Sequence, residues 1–543
     1  MKSDALGTGG SRLARRLATA SALLGVTLAL GGCMLGPNFH KPKAQTESSF
    51  RPGRGPLQAP KTVSHATPKV AWWQSFDDRT LTTLEKQATG QNLDIKLATQ
   101  RLAEADANAQ IEGAALYPNL NFAGSFTREK PSNKGVFTAF GGSNNTSSTD
   151  ASQVANGASG AFGGGGIPST NIAPFNILQY GFSSVFDFDL WGKNRRTKEA
   201  ALAAVTASRN ARRAVLLNTE AAVASNYIQL RGAQDVLRIT EENLKTAKRL
   251  TGLTEQRQQA GLANDLDVAD ARAQEANVRA QLPALHDQID ALINQLSLLL
   301  GRGPEALRSE LITPKAVPPA PPVVPVGLPA ELMRRRPDIR EAEANLHQAT
   351  AEVGVATASF FPDITLSGSV SLQALQLSNL NQLSAVTYAI GPQLTLPIFE
   401  GGKLNGELHL TKAKQKQAAI SYAKAVLTAF HQVDNALTAY GHEQHTYLAL
   451  QDDVKQTRHA LYLAEERYKD GLADYLQVLN AQQLLLQAQR NEAQSRARVS
   501  TDLVKLYQAL GGGWQNTFPA EPKPTTTASH AASPPGSGQA TKA

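Results

Sequence analysis

Ten His, one Cys and the scattered carboxylates are the residues from which a reactive centre would have to be built in this chain of 543 residues. His442 and His445 stand three apart in His-Glu-Gln-His, a spacing that places both imidazoles on one helix face, where a metal could be held. The order is not His-Glu-x-x-His, so the zinc-hydrolase pattern is missed and both read as exposed polar positions. The remaining His and the lone Cys supply no spaced Cys/His ligand set. Gly163 to Gly166 lacks the Gly-Lys-Ser/Thr that completes a phosphate-cradling loop. No Ser/His/Asp set can be singled out. The expectation is a protein that is not an enzyme and carries no metal or cofactor.

The one residue with chemistry of its own is Cys33. Arg12, Arg15 and Arg16 precede an apolar stretch from Leu17 to Leu30, the layout of an export signal and too short for a stable span of about 20 residues. Leu30-Gly31-Gly32-Cys33 follows and resembles the lipobox of bacterial lipoproteins. Small residues there admit the peptidase to the backbone, and the thiol takes the diacylglycerol. Acyl chains at about 0.8 kcal/mol per buried CH₂ anchor such a terminus durably. Met34 stands where an Asp tends to retain lipoproteins at the inner membrane, so the outer membrane is the expected address.

The formal charge of +8 suggests nucleic acid only until the first 32 residues are set aside, because they carry +3 and leave +5 dispersed along the rest. The densest basic knot, Arg334-Arg335-Arg336, reads as the solvated start of a helix, and no nucleic-acid partner is expected.

The chain says everything twice. At a shift of 244, Asp94-Ile95 meets Asp338-Ile339, Tyr117-Pro118 meets Phe361-Pro362 and Gly124-Ser125 meets Gly368-Ser369; at 210, Gly261-Leu262-Ala263 meets Gly471-Leu472-Ala473 and Arg257 meets Arg467. The difference places an insertion in the first half, whose residues 141 to 166 hold eight Gly and one charge and read as a long flexible loop. The reading by segments is a signal peptide at 1–32 and a lipidated segment at 33–78. A first repeat at 79–313, a stiff Pro-rich connector at 314–329 and a second repeat at 330–514 follow, before a disordered tail at 515–543.

Within each repeat the apolar period changes from two to seven. Leu120 to Thr127, Tyr180 to Phe188, Ile364 to Leu372 and Ile390 to Ile398 alternate and read as strands with one apolar face. Pro392 cannot donate to a ladder, so a bulge or gap in pairing is expected there. Leu216, Val223, Leu230, Leu237 and Leu244 then recur every seventh residue, as do Val426, Val433, Tyr440, Tyr447, Val454, Leu461 and Tyr468. Such a stripe imposes coiled-coil contact over helices near 95 Å long. Gly261 and Gly471 supply the turns; Asn264 or Asp265, and Asp474, can cap the returning helices, and Pro283 should kink or end the first of these.

Four strands of about ten residues suit an outer membrane but cannot close, and an open edge in lipid leaves backbone groups unpaired. Two copies give eight strands with a filled interior, and three give twelve with a lumen. The expected fold is a membrane β-barrel plus a long α-helical coiled-coil barrel, with an internal two-fold repeat, four strands per chain and a twelve-stranded barrel in a homotrimer.

At this point the sequence resembles the TolC-like outer-membrane factors, in particular the lipoprotein branch labelled NodT. The resemblance spans residues 33 to 514. It rests on Cys33 with Gly36-Pro37-Asn38-Phe39, Trp72-Trp73 with Phe76-Asp77, and Asp189-Leu190-Trp191-Gly192. In the second half it rests on Gly327-Leu328-Pro329 through Arg335-Arg336-Pro337-Asp338-Ile339, on Pro397-Ile398-Phe399 with Gly401-Gly402, and on the paired Gly-Leu-Ala turns. It implies a homotrimeric duct in the outer membrane that docks on a periplasmic adaptor and an inner-membrane pump of the RND type and exports small molecules such as drugs. It also implies adaptor-docking tips at Gly261, Leu262, Ala263, Gly471, Leu472 and Ala473, and a periplasmic gate at Leu472 and Asp474. Three copies of Asp474 would form a ring that attracts cations; the same residue also reads as a helix cap. The long Gly/Ser/Asn loop at 129–175 departs from the family and would be extracellular on its topology. A poreless lipid-anchored scaffold and a channel for protein secretion remain open alternatives.

Overall fold

The computed structural model describes residues 34–42, 63–64, 70–130, 174–321, 324–326 and 329–515. Cys33 with the signal peptide, nearly all of the Gly/Ser/Asn loop, and the C-terminal tail beyond residue 515 lie outside the described residues. In chain order the elements are β1 (Val63–Ser64), a 3-10 helix (Trp72–Phe76), α1 (Arg79–Gln91), α2 (Leu93–Ala114), β2 (Asn121–Glu129), β3 (Phe175–Asp187), α3 (Lys193–Gln259) and α4 (Asp265–Leu299). There follow α5 (Arg308–Leu311), β4 (Val324–Pro325), α6 (Pro329–Arg335), α7 (Pro337–Ala358), β5 (Asp363–Ala374), β6 (Val386–Thr395), α8 (Lys403–Lys469) and α9 (Tyr475–Ala509). The same series of two strands, a long helix and a shorter returning helix occurs in each half.

Two compact units take parts of both repeats. One gathers Met1–Lys43, Arg101–Ser208 and Glu341–Ala423; the other gathers Ala44–Gln100, Arg209–Arg340 and Lys424–Ala543. The first holds an antiparallel sheet in the order β2-β3-β5-β6, so the repeats join at the centre through β3 and β5. Pro392 causes no bulge: the β5–β6 register runs without a break from Asp363↔Thr395 to Leu372↔Val386 and pairs Leu366 with Pro392. Within one chain β6 is paired on one side only, so Pro392 removes no ladder bond on its other side there. Gly181 is forced by the pairing, because a Cβ there would lie 2.3 Å from the Val370 carbonyl oxygen.

α3 and α8 each run for 67 residues, about 100 Å at 1.5 Å per residue. In the second unit the heptad stripe is the core: Val223, Leu230, Val433 and Tyr440 are fully buried or nearly so, beside Trp72, Phe76, Leu81 and Leu84. Trp72 stacks on Tyr507 at 5.4 Å between ring centroids. Pro283 does not end α4, which continues to Leu299; its missing N–H is one bond among many in a 35-residue helix anchored by Val278, Leu285 and Ile289 on its buried face. Arg336 corrects the solvated reading of the basic knot. It is buried and donates to Asp338, to the Ala509 carbonyl and to Gln432, satisfying a charge that could not otherwise leave water.

Two acids lie in the same core. Glu85 and Glu220 are essentially unexposed, and none of their carboxyl oxygens has a hydrogen-bond partner among the described residues. Burial pushes Glu220 up to about 8. Burial, with Glu220 nearby, drives Glu85 well above the usual carboxylate range. Burial therefore favours the neutral acid at both, the form that costs least to bury.

Candidate functional site

The sheet separates two chemistries by face. One register row after another pairs apolar side chains: Phe122↔Phe182, Phe182↔Val370 and Val370↔Tyr388 in one row, and Gly368↔Ile390 and Ile364↔Leu394 in others. Phe122, Phe126, Phe182, Val370, Tyr388, Ile390 and Leu394 are all more than half exposed. The opposite face carries Ser125, Gln179, Ser183, Thr365, Ser369, Ser371, Gln373, Thr387 and Gln393. There Gln179 donates to Ser371 Oγ at 3.2 Å, and Ser371 and Thr387 share a 2.8 Å hydroxyl bond. An exposed apolar face backed by a polar one is the alternation of a strand with lipid on one side and water on the other. β2 and β6 are its two edges, and neither has a further strand beside it among the described residues.

Aromatic rings collect at one end of this sheet. Tyr117 precedes β2, Phe188 and Trp191 follow β3, Phe361 precedes β5 and Phe399 follows β6; the antiparallel register brings these four strand ends together. Trp191 packs on Phe361 at 4.9 Å and donates through Nε1 to the Pro362 carbonyl at 2.8 Å. Amphipathic rings in that position are what a membrane–water interface selects. α3 and α8 leave from the same end.

The segment that follows Cys33 is strapped to the first unit just below these rings. Leu35 N–H donates to the Trp191 carbonyl at 3.2 Å. Arg196, only 1% exposed, donates to the carbonyls of Leu35 and Gly36 and to Asn38 Oδ1. A Cβ on Gly36, at φ +86, would lie 2.5 Å from Gly354 Cα, so two glycines allow the approach. Phe39 stacks on His347 at 4.5 Å, and Lys41 pairs with Glu343 at 2.7 Å. Residue types alone gave Gly36-Pro37-Asn38-Phe39 no role; the partners that explain it are distant in sequence.

The two tips of the second unit are built alike. Leu262 N–H returns to the Arg257 carbonyl at 2.7 Å and Leu472 N–H to that of Arg467 at 2.8 Å, with Gly261 at φ +72 and Gly471 at φ +73. These bonds close the carbonyls left open at the helix ends. Leu262 and Leu472 are about two-thirds exposed, at 66% and 69%, while Ala263 and Ala473 are half-buried. Asn264 accepts from Asp267 N–H at 2.8 Å and Asp267 accepts from Asn264 N–H, a complete capping box. Asp265 accepts from Gln258. Asp474 occupies the cap position of α9, yet its exposed side chain makes no capping bond and no ion pair among the described residues. Its carboxylate is left free.

Residue spacing missed what holds the tips together. Arg257, in the last turn of α3, donates through Nη1 to the Lys469 carbonyl at 3.0 Å and lies over the Tyr468 ring at 4.6 Å. Arg249 donates through Nη2 to both carboxylate oxygens of Glu465, at 2.8 and 3.0 Å. Tyr468 meets Tyr475 edge-on at 5.7 Å. Burial, with Tyr468, Asp270 and Asp267 nearby, pushes the Tyr475 hydroxyl up to about 12. The repeat alignment had matched Arg257 to Arg467, but Arg467 is exposed and makes no such bridge. His442 and His445 are exposed, and no group of three or more metal-binding side chains exists among the described residues.

A family model described as outer membrane efflux protein matches residues 84–302 and 328–512. The chain belongs to the outer membrane efflux protein family. Nodulation protein T of Rhizobium leguminosarum bv. trifolii is 31% identical over 496 residues, covering 90% of this chain and 96% of its own. The toluene efflux pump outer membrane protein TtgC of Pseudomonas putida is 31% identical over 487 residues, covering 89% and 93%. The solved outer-membrane channel OprN superposes with a TM-score of 0.78 at 30% identity, covering 89% of this chain and all of that one. This efflux protein is thus an outer-membrane channel component with a membrane β domain and a long helical domain, and its family consists of transport proteins. The outer-membrane address expected from the N-terminus stands.

Proposed function

We propose that three copies of the chain close a twelve-stranded barrel and serve as the exit duct of a tripartite efflux system. A periplasmic adaptor and an inner-membrane pump of the RND type would complete it and drive small toxic molecules outward. The sheet carries this reading. Its lipid-facing side chains are already apolar, but its two edges expose backbone groups that hydrocarbon cannot satisfy, so the strands must be completed by other copies. α8 supports the same assembly. Beside its buried stripe Ile420, Leu427, Leu448 and Tyr462 share one heptad position and are each more than half exposed, with Asp434, Gly441 and Lys455 between them. The names of relatives such as TtgC favour small molecules as cargo.

In this reading Cys33 is acylated and the Arg196 strap fixes the anchored terminus to the helices. The tips Gly261-Leu262-Ala263 and Gly471-Leu472-Ala473 present their exposed leucines to the adaptor. Leu472 and the free carboxylate of Asp474 form the periplasmic constriction, and Arg257 latches the second tip to the first until docking splays them. Purified full-length protein in planar bilayers should give discrete conductance steps, and chemical cross-linking in intact cells should trap a trimer. A monomer without conductance would remove the proposal.

A further inference from the structure

Just past the aromatic end of the sheet, the first turns of α3 carry Lys193, Arg195, Arg196 and Lys198. Three are engaged: Lys193 with Asp363 at 3.8 Å, Arg195 with Asp189 at 3.1 Å, and Arg196 with the strap. Lys198 has no ion pair among the described residues. Its stem lies along Gly113 near the C-terminus of α2, where a Cβ would come within 3.4 Å of Lys198 Cε. A cation beside a helix C-terminus is favourably placed even without a carboxylate.

These residues border a cleft of ≈ 300 Å³ lined by Arg195, Lys198, Glu199, Leu202, Ala203, Thr206 and His347. Two basic side chains and an imidazole stand over a part-apolar wall. Glu199, the single carboxylate, is occupied: Arg196 donates to it at 2.7 Å and His347 Nε2 lies at 2.9 Å. Burial pushes its carboxyl up, but the bonds from His347 and Arg196 outweigh that and leave it below the usual carboxylate range. It does not cancel the charge of Lys198.

Depth fixes the kind of ligand. The cleft runs from Arg195 to Thr206, roughly 16 Å along the helix at 1.5 Å per residue. Its upper end begins within a turn of Trp191, where the interfacial rings sit. The headgroup zone adds about 5 to 8 Å on each side of the hydrocarbon, so Arg195 and Lys198 stand at phosphate depth. We propose that this cleft binds the phosphate of an anionic glycerophospholipid from the periplasmic leaflet, with Lys198 on the phosphate, Arg195 beside it on its Asp189 anchor, and Leu202 and Ala203 against the glycerol and proximal acyl carbons. The proposal rests on the outer-membrane placement of the chain. It gives the strap a neighbour: lipid on one side of His347 and Phe39 on the other.

Full-length protein, stripped of lipid in detergent, is titrated with phosphatidylglycerol or phosphatidylcholine and read by native mass spectrometry. Phosphatidylglycerol should be retained in preference. Lys198→Glu should bind it about tenfold more weakly, about 1.4 kcal/mol, Lys198→Arg should bind as the native chain, and Lys416→Glu on exposed α8 should change nothing. Equal retention of the two lipids, or an unaffected Lys198→Glu, would overturn the site. Inorganic phosphate that displaces the lipid at equal concentration would identify a free-phosphate site and overturn the lipid assignment. Conductance of the same preparations is read separately: its absence would overturn the channel and leave a demonstrated lipid preference standing.

Discussion

The first-repeat tip and the second-repeat tip share a sequence turn, a left-handed glycine and an exposed leucine, and they differ in what the next residues do. Asn264 and Asp267 spend their polar groups on each other and on the backbone of α4. Asp474 spends nothing, and the helix end before it is held from outside by Arg257 on the neighbouring helix. On the proposed gating, a tip held in part from another helix is opened by moving that helix, and the unbonded carboxylate of Asp474 is available to ions. The two repeats share a turn and differ in what holds it; on the proposed gating the first tip is the fixture and the second the moving part.

The largest effect should come from Gly471. A bulky residue at φ +73 costs about 1–2 kcal/mol of backbone strain and reshapes the proposed docking knob. With barrel assembly intact, Gly471→Trp should leave cells as drug-susceptible as those lacking the protein. Retained export would show that the adaptor docks elsewhere. Next comes Arg257→Ala, which removes a carbonyl bond and a cation–π contact worth about 1–2 kcal/mol together. Single-channel conductance should rise severalfold, whereas Arg467→Ala, the repeat equivalent, should leave it near the native level. Equal responses from the two arginines would erase the asymmetry between the tips.

A third measurement separates the tips from the core beneath them. Glu220 is raised from 4.5 to about 8 by burial, so its contribution is fully present below pH 4.5 and declines as pH rises toward and through 8. Thermal melting of the native protein should therefore fall between pH 5 and pH 9 by several degrees, and Glu220→Gln should flatten the curve. Melting that is equally steep in the variant would place the loss elsewhere, the tips included.

How much of this was legible in residue order depends on the range of the interaction. Heptads fixed α3 and α8 because each leucine or tyrosine repeats a local geometry, and alternation located all four strands to within a few residues, apart from the early start of β3 at Phe175 and of β6 at Val386. The Gly-Leu-Ala turns were equally local. Pro392 misled because the β5–β6 register runs through it without an extra residue, and of the two outcomes expected at Pro283 the end of the helix does not occur, since a long packed helix absorbs one missing bond. The Arg257 latch was invisible because Tyr468 lies on a different helix, far along the chain, and served equally well as one more member of a heptad stripe. Arg336 looked solvated for the same reason, since its partners Gln432 and Ala509 come from α8 and α9.

The smallest effects give the sharpest test of the comparison, because they should run in opposite directions. Asn264→Ala removes a working cap and should cost about 1 kcal/mol of stability with conductance unchanged. Asp474→Ala removes a side chain that caps nothing, so thermal melting should hold within the scatter expected of an exposed substitution, about 0.5 kcal/mol. Yet in the proposed trimer it deletes three symmetry-related charges from the constriction, and conductance through the closed state should lose its cation preference. The pair is informative only together. If Asp474→Ala melts earlier and conducts as before, the residue is a cap in solution and the second tip is a copy of the first. If Asn264→Ala also alters conductance, the first tip moves in gating and is no fixture. Only the crossed result, stability lost at one tip and ion selectivity at the other, leaves the two halves with different work.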